Sequence, residues 1–133
     1  MTRHGDAPAQ NIRTVAAAAP DPPACCQITT TLPDRPAADR IAAAVVDERL
    51  AACAQVSGPI ESTYRWQDKV ERANEWYCHM KTTLARAPDL QARIRELHPY
   101  DVPEIVVVAL AGGDGEYLRW IGNTVAGLGH SSD

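Results

Sequence analysis

Between His98 and Glu104 the chain reads "HPYDVPE", which sets an imidazole, a phenol, two carboxylates and two prolines directly ahead of the apolar run "IVVVAL". Pro99 and Pro103 each lock one backbone φ angle, so the loop is stiff and holds His98, Asp101 and Glu104 in a defined relation at low entropic cost. A neutral imidazole with one or two carboxylates suits zinc, copper(II) or nickel better than calcium. His98, Asp101 and Glu104 are therefore the candidate metal ligands, and water or another subunit must complete the coordination sphere. The competing reading is structural. A partly protonated His98 at a helix C-terminus complements the helix dipole, and the carboxylates bond backbone amides in the turn. Weak binding of a divalent ion, copper or zinc, is compatible with both.

A second set of residues has the chemistry of a binding cleft. Phenylalanine is absent, so the aromatic surface comes from Tyr64, Trp66, Trp76, Tyr77, Tyr100, Tyr117 and Trp120. Most of these belong to the core or to a subunit contact, each with a polar tip that reaches a partner. Tyr64, Trp66 and Tyr100, together with Lys81, are candidates to line a cleft between subunits, and the lysine suggests a small anionic ligand. His79 alternates with a hydrophobic strand face and reads as a satisfied core or interface histidine. A His–Glu pair can act as acid and base. However, no serine or cysteine nucleophile stands in a recognisable frame and no glycine-rich phosphate cradle is present, so catalysis and an organic cofactor are not expected. The "GGDGEYL" stretch reads as a helix cap.

Composition narrows the partners. The 133 residues, 45% apolar and 23% charged, suffice for one domain with a core of its own. Thirteen basic against seventeen acidic residues give a formal charge of −4, and no basic block favours nucleic acid or an anionic membrane. No apolar run approaches the roughly 20 residues of a membrane span. Cys25, Cys26, Cys53 and Cys78 have no C-x-x-C spacing and read as buried free thiols of a reducing, cytoplasmic compartment.

The elements that must position these residues follow from local pattern. Residues 1–24, rich in Ala, Pro and Asp, read as a disordered tail; residues 25–126 form the domain, and residues 127–133 a flexible end. "CCQITTTL" is a first strand from its β-branched content. Asp34 caps a helix with Pro36 in its first turn and Ala38, Ile41, Ala42, Val45, Val46 and Leu50 as its stripe, ending near "LAAC". A long strand runs from Cys53 to Trp66 with a bend at "SGP", turns at "WQDKV", and returns from Val70 to Thr83. A second helix, with Pro88 early and Leu90, Ile94 and Leu97 inward, stops at His98 because the residue before a proline avoids helical backbone. "EIVVVAL" is the fourth strand, and Asp114 caps a last helix buried through Leu118, Ile121 and Val125. The order is β-α-β-β-α-β plus a helix: an α+β, ferredoxin-like sandwich with both inner helices on one sheet face. Ile105 to Leu110 is apolar at every position, so both faces of that strand need cover, and a partner chain must supply the second.

The stretches "TTLPD", "ERLAACAQV", "YRWQDKVE", "MKTT", "HPYDVPEIV" and "YLRWI" resemble, in order, the motifs of the CutA family of divalent-cation tolerance proteins, over about residues 27 to 125. The resemblance implies a ferredoxin-like fold in a PII-like homotrimer, with strand pairing between subunits through the long hairpin, and an association with metal tolerance and copper binding. It also implies a metal pattern of a cysteine near the end of the first strand, a histidine at or just before "HPY", and a glutamate after the next proline. This chain carries Thr30 at the cysteine position and Leu97 at the earlier histidine position, leaving His98 and Glu104. The expected activity is divalent-metal binding in metal homeostasis by a homotrimer; the alternative is a PII-like trimeric sensor of a small ligand.

Overall fold

The structure, a computed structural model, describes residues 20–126. Its elements are β1 (Cys25–Leu32), α1 (Arg35–Asp47), β2 (Cys53–Trp66), β3 (Lys69–Thr83), α2 (Ala87–Leu97), β4 (Ile105–Ala109) and α3 (Gly115–Ala126). The strands form one antiparallel sheet in the order β2-β3-β1-β4. The protein is thus α+β, with the expected succession of elements. Most of the two expected tails, residues 1–19 and 127–133, lies outside the described residues. The described chain begins at Pro20, five residues ahead of the expected domain start at Cys25, and Arg119 of α3 donates to the Pro20 carbonyl. No helix among the described residues is long and apolar enough to cross a membrane.

Strand alternation divides the apolar side chains between two cores. Cys26, Ile28 and Leu32 of β1 with Cys78 and Met80 of β3 pack against Ile41 and Val45 of α1 and Leu90 and Ile94 of α2. On the opposite side, Cys25 and Ala52 meet Leu118, Ile121 and Val125 of α3. Helix α1 starts where Asp34 accepts from the Ala37 amide at 2.9 Å, and α3 starts where Asp114 accepts from the Tyr117 amide. Both caps satisfy first-turn donors that would otherwise lack partners. Arg93 of α2 ties the two inner helices together, donating through Nε and Nη2 to both oxygens of Glu48 at 2.9 Å each.

Two details of α1 differ from expectation. The helix ends at Asp47 rather than near "LAAC", because Arg49 takes a left-handed φ of 59° and turns the chain into β2. Val46 lies outside the buried stripe and is exposed, since five residues after Ile41 the helical period has rotated it well away from the core.

Two features of β2 and β3 shape the functional end of the molecule. First, β3 pairs with β1 only from Trp76 to Thr83, so residues 69–75 pair with β2 alone and the hairpin overhangs the sheet. Its two-residue turn, Gln67 and Asp68, has positive φ at both positions (51° and 67°), the mirror-image turn that matches strand twist. Second, the bend expected at "SGP" is a register shift between Ser57 and Ile60. Gly58 there has φ of 154°, and a Cβ on it would lie 2.8 Å from the Trp76 ring. Edge strand β4 keeps one face half-buried, whereas Val106 and Val108 on the other are 46% and 52% exposed in the single chain.

Both backbone strain and collision with an indole oppose a side chain at residue 58. Gly58→Ala is expected to lower unfolding stability by about 1–3 kcal/mol, read from urea denaturation; an unchanged midpoint would show that the bend tolerates a Cβ.

Candidate functional site

The loop from His98 to Glu104 leaves α2 and enters β4 beside the end of β1. Pro99 forces His98 out of the helix into extended backbone (ψ 136°), which turns its ring inward, where it is 8% exposed. There His98 Nε2 lies 2.9 Å from the Thr31 carbonyl oxygen and 3.0 Å from Thr30 Oγ1. The Tyr100 amide donates to His98 Nδ1 at 3.1 Å. A backbone N–H can only donate, so Nδ1 is the unprotonated nitrogen and Nε2 carries the proton that it gives to Thr31. Both ring nitrogens are therefore engaged. Burial lowers the His98 pKa, against the opposing pull of the Thr31 carbonyl and Glu75, so the ring is neutral at pH 7 rather than the partly protonated dipole partner that the helix end suggested.

Tyr100 stacks at 4.9 Å from the His98 ring, tilted by 48°, and its hydroxyl donates to Glu75 Oε2 at 2.8 Å. Burial first, then the hydrogen bond and charge of Glu75, push the Tyr100 hydroxyl well above the usual phenol range. Thr31 Oγ1 donates at 3.5 Å to Glu104 Oε1, on the opposite sheet face from Thr30. The carboxylate of Glu104 is thus held by a hydroxyl, not by a backbone amide. Asp101 is exposed at the loop's outer bend.

Loop and overhanging hairpin enclose a cleft of about 770 Å³. Tyr64, Trp66, Tyr77 and Tyr100 supply its aromatic lining, and Glu61, Glu75, Asp101 and Glu104 its carboxylates. No Lys, Arg or His lines it among the described residues. The structure thus brings together Tyr64, Trp66, Tyr100, Asp101 and Glu104 from the sequence-derived candidates and leaves two apart. His98 stands behind the wall, with its lone pair spent on Tyr100. Lys81 lies at the far end of β3, donating to Gln55 at 3.1 Å. The anionic ligand suggested by Lys81 therefore has no cationic partner here, and the cleft's electrostatics favour a cation. Among the described residues, no three His, Cys, Asp or Glu side chains converge as a metal-ligand group. Glu61 and Glu75 escaped sequence analysis; Glu75 alternates with the exposed positions of β3, and only the end of the β1 pairing one residue later marks it. His79, on the open sheet face, is engaged by Thr29 Oγ1 at 2.9 Å.

The family model for "CutA1 divalent ion tolerance protein" matches residues 26–124. The divalent-cation tolerance protein CutA of Thermus thermophilus is 44% identical over 94 residues, covering 71% of this chain and 91% of that one. A chloroplastic CutA of Arabidopsis thaliana is 35% identical over 97 residues, and the match spans 73% of this chain but 53% of the plant protein. The crystal structure of CutA from Xylella fastidiosa superposes with a TM-score of 0.74 at 39% identity, over 76% of this chain and 97% of that chain.

Because the folded His98 ring titrates below its ordinary value, the unfolded chain takes up the proton first as the pH falls. Its stabilisation is complete above the unfolded pKa of about 6.5 and is lost as the pH drops through the window below it. Melting temperature is expected to fall from pH 7.5 to 5, with a shallower slope in His98→Gln. His79, whose pKa is also lowered, by burial and then Lys81 against Glu104, leaves the residual slope. Identical slopes in the two proteins would exclude His98 as the titrating group.

Proposed function

The chain belongs to the CutA1 divalent ion tolerance protein family, and from that premise we propose that it serves divalent-cation tolerance as a non-catalytic homotrimer of ferredoxin-like protomers. Each protomer binds divalent ions weakly at the cleft beneath the "HPYDVPE" loop. The observation that carries the reading is the lining itself, with Glu61, Glu75, Asp101 and Glu104 and no basic side chain. Oxygen donors alone, most of them from exposed carboxylates, give low selectivity and modest affinity. Asp101 and Glu104 sit on the proline-stiffened loop and are the residues that would hold copper(II) or zinc, with Glu61 of β2 lining the same cleft and water completing the sphere.

A soft, copper-selecting set does not fit these residues. Where the family pattern has cysteine, Thr30 is fully buried and its hydroxyl meets His98 Nε2, and both nitrogens of that ring are already bonded. His98 thus belongs to the support of the loop. The trimer is supported by Val106 and Val108 on an open sheet edge, and by half-exposed Tyr64, Trp66 and Val70 on the overhanging hairpin, apolar surface that a second copy can cover. A cytoplasmic location is supported by four unpaired cysteines, three of them buried.

Calorimetric titration of the full chain with copper(II) or zinc tests the cleft. Asp101→Asn with Glu104→Gln is expected to weaken binding about tenfold, equivalent to about 1.4 kcal/mol, while a folded His98→Gln protein keeps wild-type affinity. Equal affinity in the double variant would remove the cleft from the reading. Sedimentation at micromolar concentration is expected to give the mass of three chains, and a single-chain mass would refute the assembly.

A further inference from the structure

Glu75 is the most deeply buried carboxylate among the described residues, 8% exposed, and no ion pair there includes it. Its hydrogen-bond partner is the neutral Tyr100 hydroxyl, and the nearby His98 ring has a lowered pKa and gives its Nε2 proton to Thr31. A mostly buried carboxylate whose partner is a neutral hydroxyl lacks the cation that commonly accompanies such a group, and in folded proteins buried carboxylates are paired or hold a ligand. Glu75 lines the cleft, whereas Glu61, Asp101 and Glu104 are all exposed at its mouth. Burial therefore divides the four carboxylates into one inner group and three outer ones.

The aromatic lining adds a second, independent element. Tyr64 and Trp66 come from β2, Tyr77 from β3 and Tyr100 from the loop, so aromatic side chains line the cavity from separate elements. Aromatic faces attract cations and shelter short hydrocarbon stems, and a site with few polar groups in an apolar wall is the usual form of a small-molecule pocket. A metal ion uses carboxylates but has no use for four rings.

We propose that the cleft binds a primary alkylammonium ligand, with the ammonium group paired to Glu75 at the inner end and its carbon chain against the Tyr64, Trp66, Tyr77 and Tyr100 rings. A primary ammonium has N–H donors for the Glu75 carboxylate, which a quaternary ammonium lacks. The volume of about 770 Å³ exceeds that of a four-carbon amine, and the outer carboxylates Glu61, Asp101 and Glu104 line the same cleft, so a second ammonium on the same chain has carboxylate partners there. Ligands of this class are aliphatic mono- and diamines. The inference goes beyond metal binding and does not rest on it, because Glu75 and the rings carry it and the outer carboxylates do not.

Metal-free full-length protein titrated with n-butylamine, 1,4-diaminobutane and tetramethylammonium at pH 7 and constant ionic strength is the test. Both amines are expected to bind, the diamine more tightly and tetramethylammonium at least about tenfold more weakly than n-butylamine. Glu75→Gln keeps the shape and removes the charge, and is expected to weaken n-butylamine about tenfold or more. Trp66→Ala, at the exposed hairpin end, is expected to weaken it several-fold with an unchanged circular dichroism spectrum and an unchanged sedimenting mass, and a loss that accompanies a changed mass counts against the proposal. No binding to the wild type, or equal binding by Glu75→Gln, overturns the proposal. If Glu75→Gln fails to fold, unchanged affinity in Trp66→Ala overturns it and a loss at unchanged mass supports it. A change in sedimenting mass in Glu75→Gln without a change in amine affinity also overturns it, since the missing cation then comes from a second copy. Copper(II) titration of the same variants keeps the two readings apart: metal binding without amine binding leaves the proposed function standing and removes this inference alone.

Discussion

The pair of hydrogen bonds made by His98 fastens the end of α2 to the end of β1, and the functional end of the molecule is organised around it. Nε2 reaches the Thr31 carbonyl, and Nδ1 receives the Tyr100 amide two residues on. Because Pro99 has already fixed the backbone between them, the two bonds determine where the rest of the loop goes. Tyr100 is turned toward Glu75, while Glu104 emerges beside Thr31. A side chain with the donor set of a metal ligand thus serves as the bolt that holds the wall of a cleft. Its chemistry as a ligand is given up to do so.

A second constraint is the mismatch in strand length. Strands β2 and β3 are much longer than β1 and β4, so the hairpin must continue beyond the sheet and leave a space under it. The loop from α2 closes that space from the other side. Aromatic side chains that would be core in a longer sheet become the lining of a cavity, and Glu75 is buried at its inner end. The same overhang leaves Tyr64, Trp66 and Val70 about half exposed, so the cleft and the open apolar surface come from one architectural feature.

Much of the fold was legible in order and boundary. Asp34 and Asp114 were readable as caps, and Pro88 as a first-turn residue, because capping depends on neighbours within one turn. β1 was identified to the residue, since β-branched content and the following "PD" act locally. The end of α1 was not, because it depends on Arg49 taking a left-handed conformation that is more usual for glycine or asparagine. Among site residues, Tyr64, Trp66, Tyr100, Asp101 and Glu104 were picked out by type and do line one cleft. Lys81 does not line this cleft of the single chain, because strand alternation says nothing about which end of the strand a cavity occupies.

Taken alone, the sequence determined the succession of elements, the stiffness of the "HPYDVPE" loop and the chemical inventory around it, all of which follow from periodicity, caps and prolines acting within a few residues. The tertiary structure alone decided that His98 spends both nitrogens on β1 and its own loop, that Lys81 lies away from the cleft, and that Glu75 is buried beside Tyr100 with no basic partner among the described residues. Those outcomes depend on register between segments as far apart in the chain as Thr31, Glu75 and His98. No local pattern encodes which of a donor's possible partners will reach it first when those segments meet.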